Sequence, residues 1–345
     1  MQRTLILDIG SGTQDVLYHF PDREIENCPK FVLPAPARQV ARRIRALAGK
    51  NIWLHGRNMG GGFMGALREH LALGGRVAAQ TSAAYSMGDD LERVKNMGVA
   101  IMEECPPDHS PVELADYDAA YWRKILEAAE LPLPDAFMAC AQDHGFHPGE
   151  SNRRGRFRLW EQLLLEAGGR PESMVYTEVP AQLTRLKDLQ TSMGGGLVAD
   201  SGSAAVLGAL YVPEIEEECA RRGICVVNVG NSHTIAFLLF QGRILGIYEH
   251  HTGLVDADGL WSDLALFRQG RLPFEQVFAD RGHGSLTLNL PPEAAGFATT
   301  YVLGPRRNML AGKPAFFPAP GGDMMLAGCF GLLKGRQLLH GSTNN

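Results

Sequence analysis

The sequence predicts an α/β protein built from two strand–elbow–strand units that face each other across a cleft. Three observations predict it. Short apolar runs of strand character alternate with amphipathic stretches along most of the 345 residues, the pattern of helices layered on sheets. The segment LDIGSGTQDVLYHF (7–20) aligns without a gap on VNVGNSHTIAFLLF (227–240), so one kind of unit occurs in each half. Late in the chain, PAPGGDMMLAGCFGLLKG (318–335) reads as a glycine turn opening an apolar helix.

The elements follow in order. Residues 1–36 read as strand, glycine elbow, strand and a third extended segment that Pro34 and Pro36 end. ARQVARRIRALAG places Val40, Ile44 and Leu47 on one helical face and arginines on the other, and Gly49 stops it. NIWLHG, RVAAQ and VAIMEE read as strands. FMGALREHLALGG and DLERVKNMG read as the helices between them. Residues 105–118, rich in Pro and Asp, read as a loop. DAAYWRKILEAAEL is a helix, and DAFMACAQDHG runs from strand to loop. HPGESNRRGRFR reads as polar and exposed; LWEQLLLEAGG and PAQLTRLKDLQTSMGGG read as helical. LVADSGSAAVLGALY begins as a strand and continues as a small-residue helix. The second unit extends into a hairpin, IAFLLF, QGR, ILGIYEH. The expected division is a first domain over 1–190, completed by the C-terminal helix 322–340, and a second over 191–321.

Composition limits the function classes. Lys and Arg number 33 against 38 Asp and Glu, a net charge of −5. The arginine pairs are scattered, so no nucleic-acid footprint is present. No apolar run has membrane-span length. The apolar run before Asp8 is too short for a signal-peptide core, so a cytoplasmic protein is expected. Six cysteines occur without a CxxC pair and are expected as free thiols.

The elbow carries the chemistry. Gly10 and Gly12 let backbone N–H groups approach an anion. Ser11, Thr13 and Gln14 add side-chain donors, as do Asn231, Ser232, His233 and Thr234 around Gly230 in the second copy. Asp8 at the strand end suits Mg²⁺, which prefers oxygen ligands and keeps several waters. A glycine-bulged hairpin is the structural alternative.

These motifs resemble those of the actin/Hsp70/sugar-kinase ATPase superfamily. ILDIGSGTQDVLY is similar to its first phosphate motif, VVNVGNSHTIAFLLF to its second, and APGGDMMLAGCFGLL to its adenosine motif. Within it the chain resembles the domain-of-unknown-function 1786 family, whose members are often labelled pyruvate formate-lyase activating enzymes. MGGG, QDHG, DSGSAAVLGAL, HHTG and GPRR carry that resemblance. It implies two duplicated actin-like (ribonuclease H-like) domains around an ATP and Mg²⁺ site, with Gly321, Gly322 and Asp323 at the nucleoside. The label itself implies a radical-SAM enzyme, which needs CxxxCxxC, and the sequence has no such spacing. Asn228 stands where the superfamily usually carries Asp, which weakens the case for hydrolysis more than for binding.

Four further constellations invite a role. Asp143 at a strand end, with His144 beside it, fits a general base toward an acceptor hydroxyl or an Asx turn. Asp200 before SGSAA fits an anion-binding helix start or an N-cap. His250 and His251, adjacent in a strand, point to opposite faces, so one of them is a substrate contact and they do not share a metal. Arg306 and Arg307 fit bidentate recognition of an anion or a solvated turn. MGGG (59–62) lacks the GxGxxG spacing of a dinucleotide site. The expected function is an ATP-dependent kinase or ATPase acting on a small anionic substrate or a partner protein. The alternative is a nucleotide- or ligand-binding regulatory protein of the same fold without turnover.

Overall fold

The computed structural model describes residues 2–342. The chain opens with β1 (Thr4–Ile9), β2 (Thr13–His19) and β3 (Lys30–Pro34), an antiparallel meander. α1 (Pro36–Ala46), with Pro36 at its first position, leads away into a separate layer. That layer holds β4 (Asn51–Gly56), α2 (Met64–Ala72), β5 (Val77–Ala79), α3 (Thr81–Ala84), α4 (Leu91–Asn96), β6 (Val99–Ile101) and β7 (His109–Leu114). Its four strands form an all-parallel sheet of order β6-β5-β4-β7 with its own core around Ile44, Leu54, Phe63 and Leu67.

The chain then returns to the first sheet through α5 (Ala119–Ala128), β8 (Ala136–Ala141), α6 (Asn152–Ala167), β9 (Val175–Tyr176), α7 (Thr184–Ser192), β10 (Leu197–Ala199) and α8 (Ser201–Leu210). That sheet has order β3-β2-β1-β8-β10-β9, with β1, β8 and β10 parallel. After α9 (Pro213–Arg221) come β11 (Ile224–Val229), β12 (His233–Phe240), β13 (Arg243–His251), α10 (Ala257–Phe267), α11 (Phe274–Ala279), β14 (Gly284–Thr287), β15 (Thr299–Leu303) and α12 (Ala327–Ser342). The last sheet has order β14-β13-β12-β11-β15. Its central part repeats the first: an antiparallel meander, then a parallel strand beside its first member.

Alternation along β11 builds the layers. Ile224 and Val226 face the core shared with α8 and α12, while Cys225, Val227 and Val229 face the one closed by α10, the period of two that a strand buried on both faces requires. α8 is buried from Gly202 to Leu210. Among the described residues, no helix is long and apolar enough to cross a membrane.

Three expectations need correction. Residues 109–114 are β7 rather than loop; Pro111 is tolerated because β7 is an edge strand. The polar stretch 147–158 is not simply exposed: α6 starts within it and Arg156 is 2% exposed, its charge met by buried carboxylates. The expected division at 190/191 falls before β10, which pairs with β8, so the change to the last sheet comes between α9 and β11.

Candidate functional site

The two elbows have the same construction. Asp8 pairs with Asp15 across the first, as Asn228 pairs with Ile235 across the second. Gly10 N–H donates to the Thr13 carbonyl at 3.0 Å, and Gly230 N–H to the His233 carbonyl at 2.9 Å. The elbows meet: the Ser11 and Ser232 hydroxyls lie 2.7 Å apart. A β-carbon on Gly12 would lie 2.6 Å from Asn231 Nδ2, so the first loop needs glycine to approach the second.

Beside them opens a cavity of about 560 Å³, within the usual range for small-molecule sites. Its walls include Asp8, Gly10, Ser11, Thr13 and Asp15 from the first elbow and Asn228 and Gly230–His233 from the second. Met59–Gly62, the loop after β4, forms a third wall. The Arg185 guanidinium, forked on Asp116 at 2.7 and 3.1 Å, stands behind that loop, and Gly60 N–H donates to Asp116 at 3.4 Å. The end of β8 adds Asp143 and His144, and Met324, Met325 and Gly328 close the cavity near α12.

Several expected site residues do not line this cavity. Gln14 and Thr234 are buried: the Gln14 amide donates to the Pro34 carbonyl, and the Thr234 hydroxyl pairs with Thr252. Strand alternation is the reason, because Thr13 and Asp15, like His233 and Ile235, take the cleft face. Gly321, Gly322 and Asp323 form a turn packed under the Phe330 ring, with Asp323 accepting from Met325 N–H; the residues that follow, Met324, Met325, Ala327 and Gly328, are the ones that reach the cleft. Arg306 and Arg307 lie beyond Gly304 and Pro305, which do line it, and Arg307 donates to the Pro318 carbonyl. His250 turns to the opposite face of β13, stacked with Tyr248, while His251 packs against His233.

Asp143 lies in the wall with both carboxylate oxygens accepting backbone amides, Gly145 N–H at 2.8 Å and Leu186 N–H at 2.9 Å. That arrangement is the Asx turn. Asp200 caps α8, accepting from Gly202 N–H at 2.8 Å, and is forked by Arg156 at 3.0 and 3.2 Å. Arg156 also donates to Glu249 at 2.6 Å. Although burial alone would raise the Glu249 pKa, the Arg156 guanidinium holds it below the usual carboxylate range.

The acidic pair is the cleft's electrostatic feature. Burial, then nearby carboxylates, pushes Asp8 up to about 6 and Asp15 up to about 8; the Cys140 thiol, donating to Asp8 at 3.2 Å, opposes the first shift. Asp15 Oδ1 is buried without a hydrogen-bond partner. Raised folded-state pKa values mean that the folded state holds protons more tightly. Stability from this pair is therefore full below about pH 4 and is lost as pH rises through 6 to 8. Asp15→Asn is expected to raise the melting temperature at pH 8 by several degrees and to change it little at pH 4, read by circular-dichroism melts in EDTA.

Burial lowers the pKa of three histidines that meet across the cleft: His144, His233 to about 4 and His283 to about 3. All three are neutral at pH 7. The sequence reading missed His283, which precedes β14 in DRGHGS and carries no motif.

Two sheets of like topology with facing glycine elbows define the class: an α/β fold of the actin-like kind. The family described as "Putative pyruvate format-lyase activating enzyme (DUF1786)" matches over residues 59–309, and the chain belongs to that family. No curated protein matches the sequence. Solved structures similar to the chain include the ethanolamine utilization protein EutJ from Carboxydothermus hydrogenoformans, 11% identical, covering 96% of this chain and 89% of that one with a TM-score of 0.32. The activator of 2-hydroxyisocaproyl-CoA dehydratase from Clostridium difficile with bound ADPNP is 10% identical, covering 100% and 98%, with a TM-score of 0.31. The ROK hexokinase from Thermus thermophilus is 12% identical, covering 99% and 100%, with a TM-score of 0.32. At these similarities the functional reading rests on the cleft itself.

Proposed function

We propose that the cleft binds ATP with Mg²⁺ and that the chain is a phosphotransferase or ATPase acting on a small anionic substrate or a partner protein. The observation that carries this reading is the pair of matched glycine elbows, in contact through Ser11 and Ser232 beside a cavity of ligand size. Two backbone turns facing one space suit the β- and γ-phosphates of a nucleotide. The hydroxyls of Ser11, Thr13 and Ser232 add donors. Phosphates between the elbows would part the Ser11–Ser232 contact.

The lining supports a role for a metal ion. Its two arginines, Arg156 and Arg185, are already engaged by carboxylates, and it contains no lysine. Asp8 and Asp15 fit Mg²⁺: they pair across the elbow, Asp15 is buried with Oδ1 unpartnered, and the half-buried Asp8 accepts from the Cys140 thiol. When bound, the ion supplies charge neutralisation to the phosphates. Asp8 and Asp15 would hold it, the elbows would orient the nucleotide, and closure of the cleft would exclude water. The radical chemistry that the family description suggests is not carried over, because the cysteines lack the CxxxCxxC spacing it requires.

Calorimetric titration of ATP and ADP, with and without Mg²⁺, tests the proposal. Micromolar binding that needs Mg²⁺ and weakens at least about tenfold in Asp8→Ala, a loss of about 1.4 kcal/mol, is expected. No binding by the wild type would overturn it.

A second reading, ligand binding without turnover, has one observation of its own. Both Asp143 oxygens are occupied by backbone amides, which suits positioning better than proton transfer. Phosphate release across an acceptor screen separates the two: nucleotide bound but not consumed favours the second.

A further inference from the structure

We infer that His144, His233 and His283 form a binding site for a divalent transition-metal ion, separate from the Asp8–Asp15 pair and opening on the same cleft. The three residues come from three places: the loop after β8, the first position of β12 and the loop before β14. Each offers a ring nitrogen, and these atoms lie within 4.8 Å of one another. The ring centroids are 4.9 to 5.7 Å apart.

The second, independent observation is unmet hydrogen bonding. His283 is 1% exposed, and neither of its ring nitrogens has a partner; His233 Nε2 is also buried without one. An imidazole N–H and lone pair hidden from water without partners cost free energy. A metal ion uses the lone pairs. The structural alternative, three histidines packed only as aromatic surface, leaves that cost unmet.

The surroundings favour a cation. The His283 backbone amide donates to the Glu249 backbone carbonyl at 2.9 Å, which places the ring near the Glu249 carboxylate, a charge that interacts electrostatically with all three rings. The adjacent positive charge, Arg156, is forked on Asp200 and also bonded to Glu249. One guanidinium against two carboxylates leaves a net negative charge beside the imidazoles. The Glu249 carboxylate, held by Gln142 and Arg156, supplies this charge without a hydrogen bond to the His283 ring.

Three neutral imidazoles select the class of ion. Imidazole suits zinc, copper, iron and nickel, whereas Mg²⁺ and Ca²⁺ take oxygen. Tetrahedral zinc at ordinary Zn–N lengths needs nitrogens about 3.3 Å apart, so binding would draw the three rings together. His144 lies on the first sheet's side and the other two on the last sheet's side, so the ion would tie one wall of the cleft to the other. His144 and His233 line the cavity. The remaining coordination position therefore faces it and takes water or an oxyanion of a bound molecule, as in catalytic His₃ sites.

Titration of the EDTA-stripped full-length chain with Co²⁺ and Zn²⁺, without nucleotide, tests the site. Expected are one equivalent of Co²⁺ with visible bands of four- or five-coordination, and Zn²⁺ affinity reduced about 100-fold or more in His283→Gln and in His233→Gln. Asp8→Ala should keep the Co²⁺ bands, which separates this site from the proposed Mg²⁺ position. X-ray absorption on the zinc-loaded wild type needs no variant and should show imidazole back-scattering from three histidines. Substoichiometric binding, an all-oxygen first shell, or unchanged affinity in both folded histidine variants would overturn the inference. Failure to bind ATP would leave it standing.

Discussion

Replacing Arg156 by methionine is expected to cost about 3–5 kcal/mol of stability, read as a lower urea midpoint with an unchanged m-value. The guanidinium donates to Asp200, Glu249 and the Asp143 carbonyl. Asp200 caps a helix beside the first sheet, and Glu249 lies on a strand of the last. Methionine fills a similar volume but leaves two buried carboxylates without their cation. The penalty is the uncompensated charge and not the lost packing. The triple variant Arg156→Met, Asp200→Asn, Glu249→Gln should therefore recover much of the loss. A loss below about 1 kcal/mol, the usual value of an exposed pair, in the single variant would mean that water reaches the network.

Gly331→Ala is expected to destabilise by about 3 kcal/mol, the upper part of the range for overpacked cores. A β-carbon at 331 would lie 1.8 Å from the Ala204 carbonyl oxygen and 2.8 Å from Gly208 N. At 208 it would lie 2.2 Å from the Ala327 carbonyl oxygen. α8 and α12 therefore meet backbone against backbone, and no side chain can move aside. Gly335→Ala is the control. There the added carbon meets the Val175 and Leu207 side chains at 2.8 and 3.1 Å, which can give, and helix propensity returns about 1 kcal/mol. Thermal melts of the two variants should separate by several degrees, with Gly335→Ala close to wild type.

What the sequence made legible was local. The elbow repeat was readable because it is one contiguous turn, and register and hydrogen bonding reproduce the alignment residue for residue. The small-residue helix was legible as a close-packing surface, because Gly and Ala at 202–209 leave little else for it to be. Pairing between distant segments was not legible. The strands at 51–56, 77–79 and 99–101 were read as strands, but nothing in their residues says that they leave the first sheet to form their own. β7 was hidden by Pro111, and the burial of Arg156 by its charge, since hydropathy does not record that partners 44 and 93 residues away will meet it. Within the elbows, the period of two could have excluded Gln14 and Thr234 from the cleft beforehand. His283 had no such signal, because its partners come from other strands.

The contact between α8 and α12 also bears on the order in which the molecule can assemble. β1 is the first described element, yet the layer that covers it includes α12, the last of them. Without that helix, α8, buried from Gly202 to Leu210, and its neighbours on β1 and β8 have no complete cover. A chain in this state presents apolar surface, the condition in which unfinished proteins aggregate or engage chaperones. The core over the first sheet therefore closes through contacts as distant in sequence as Ile6 and Cys329, 323 residues apart.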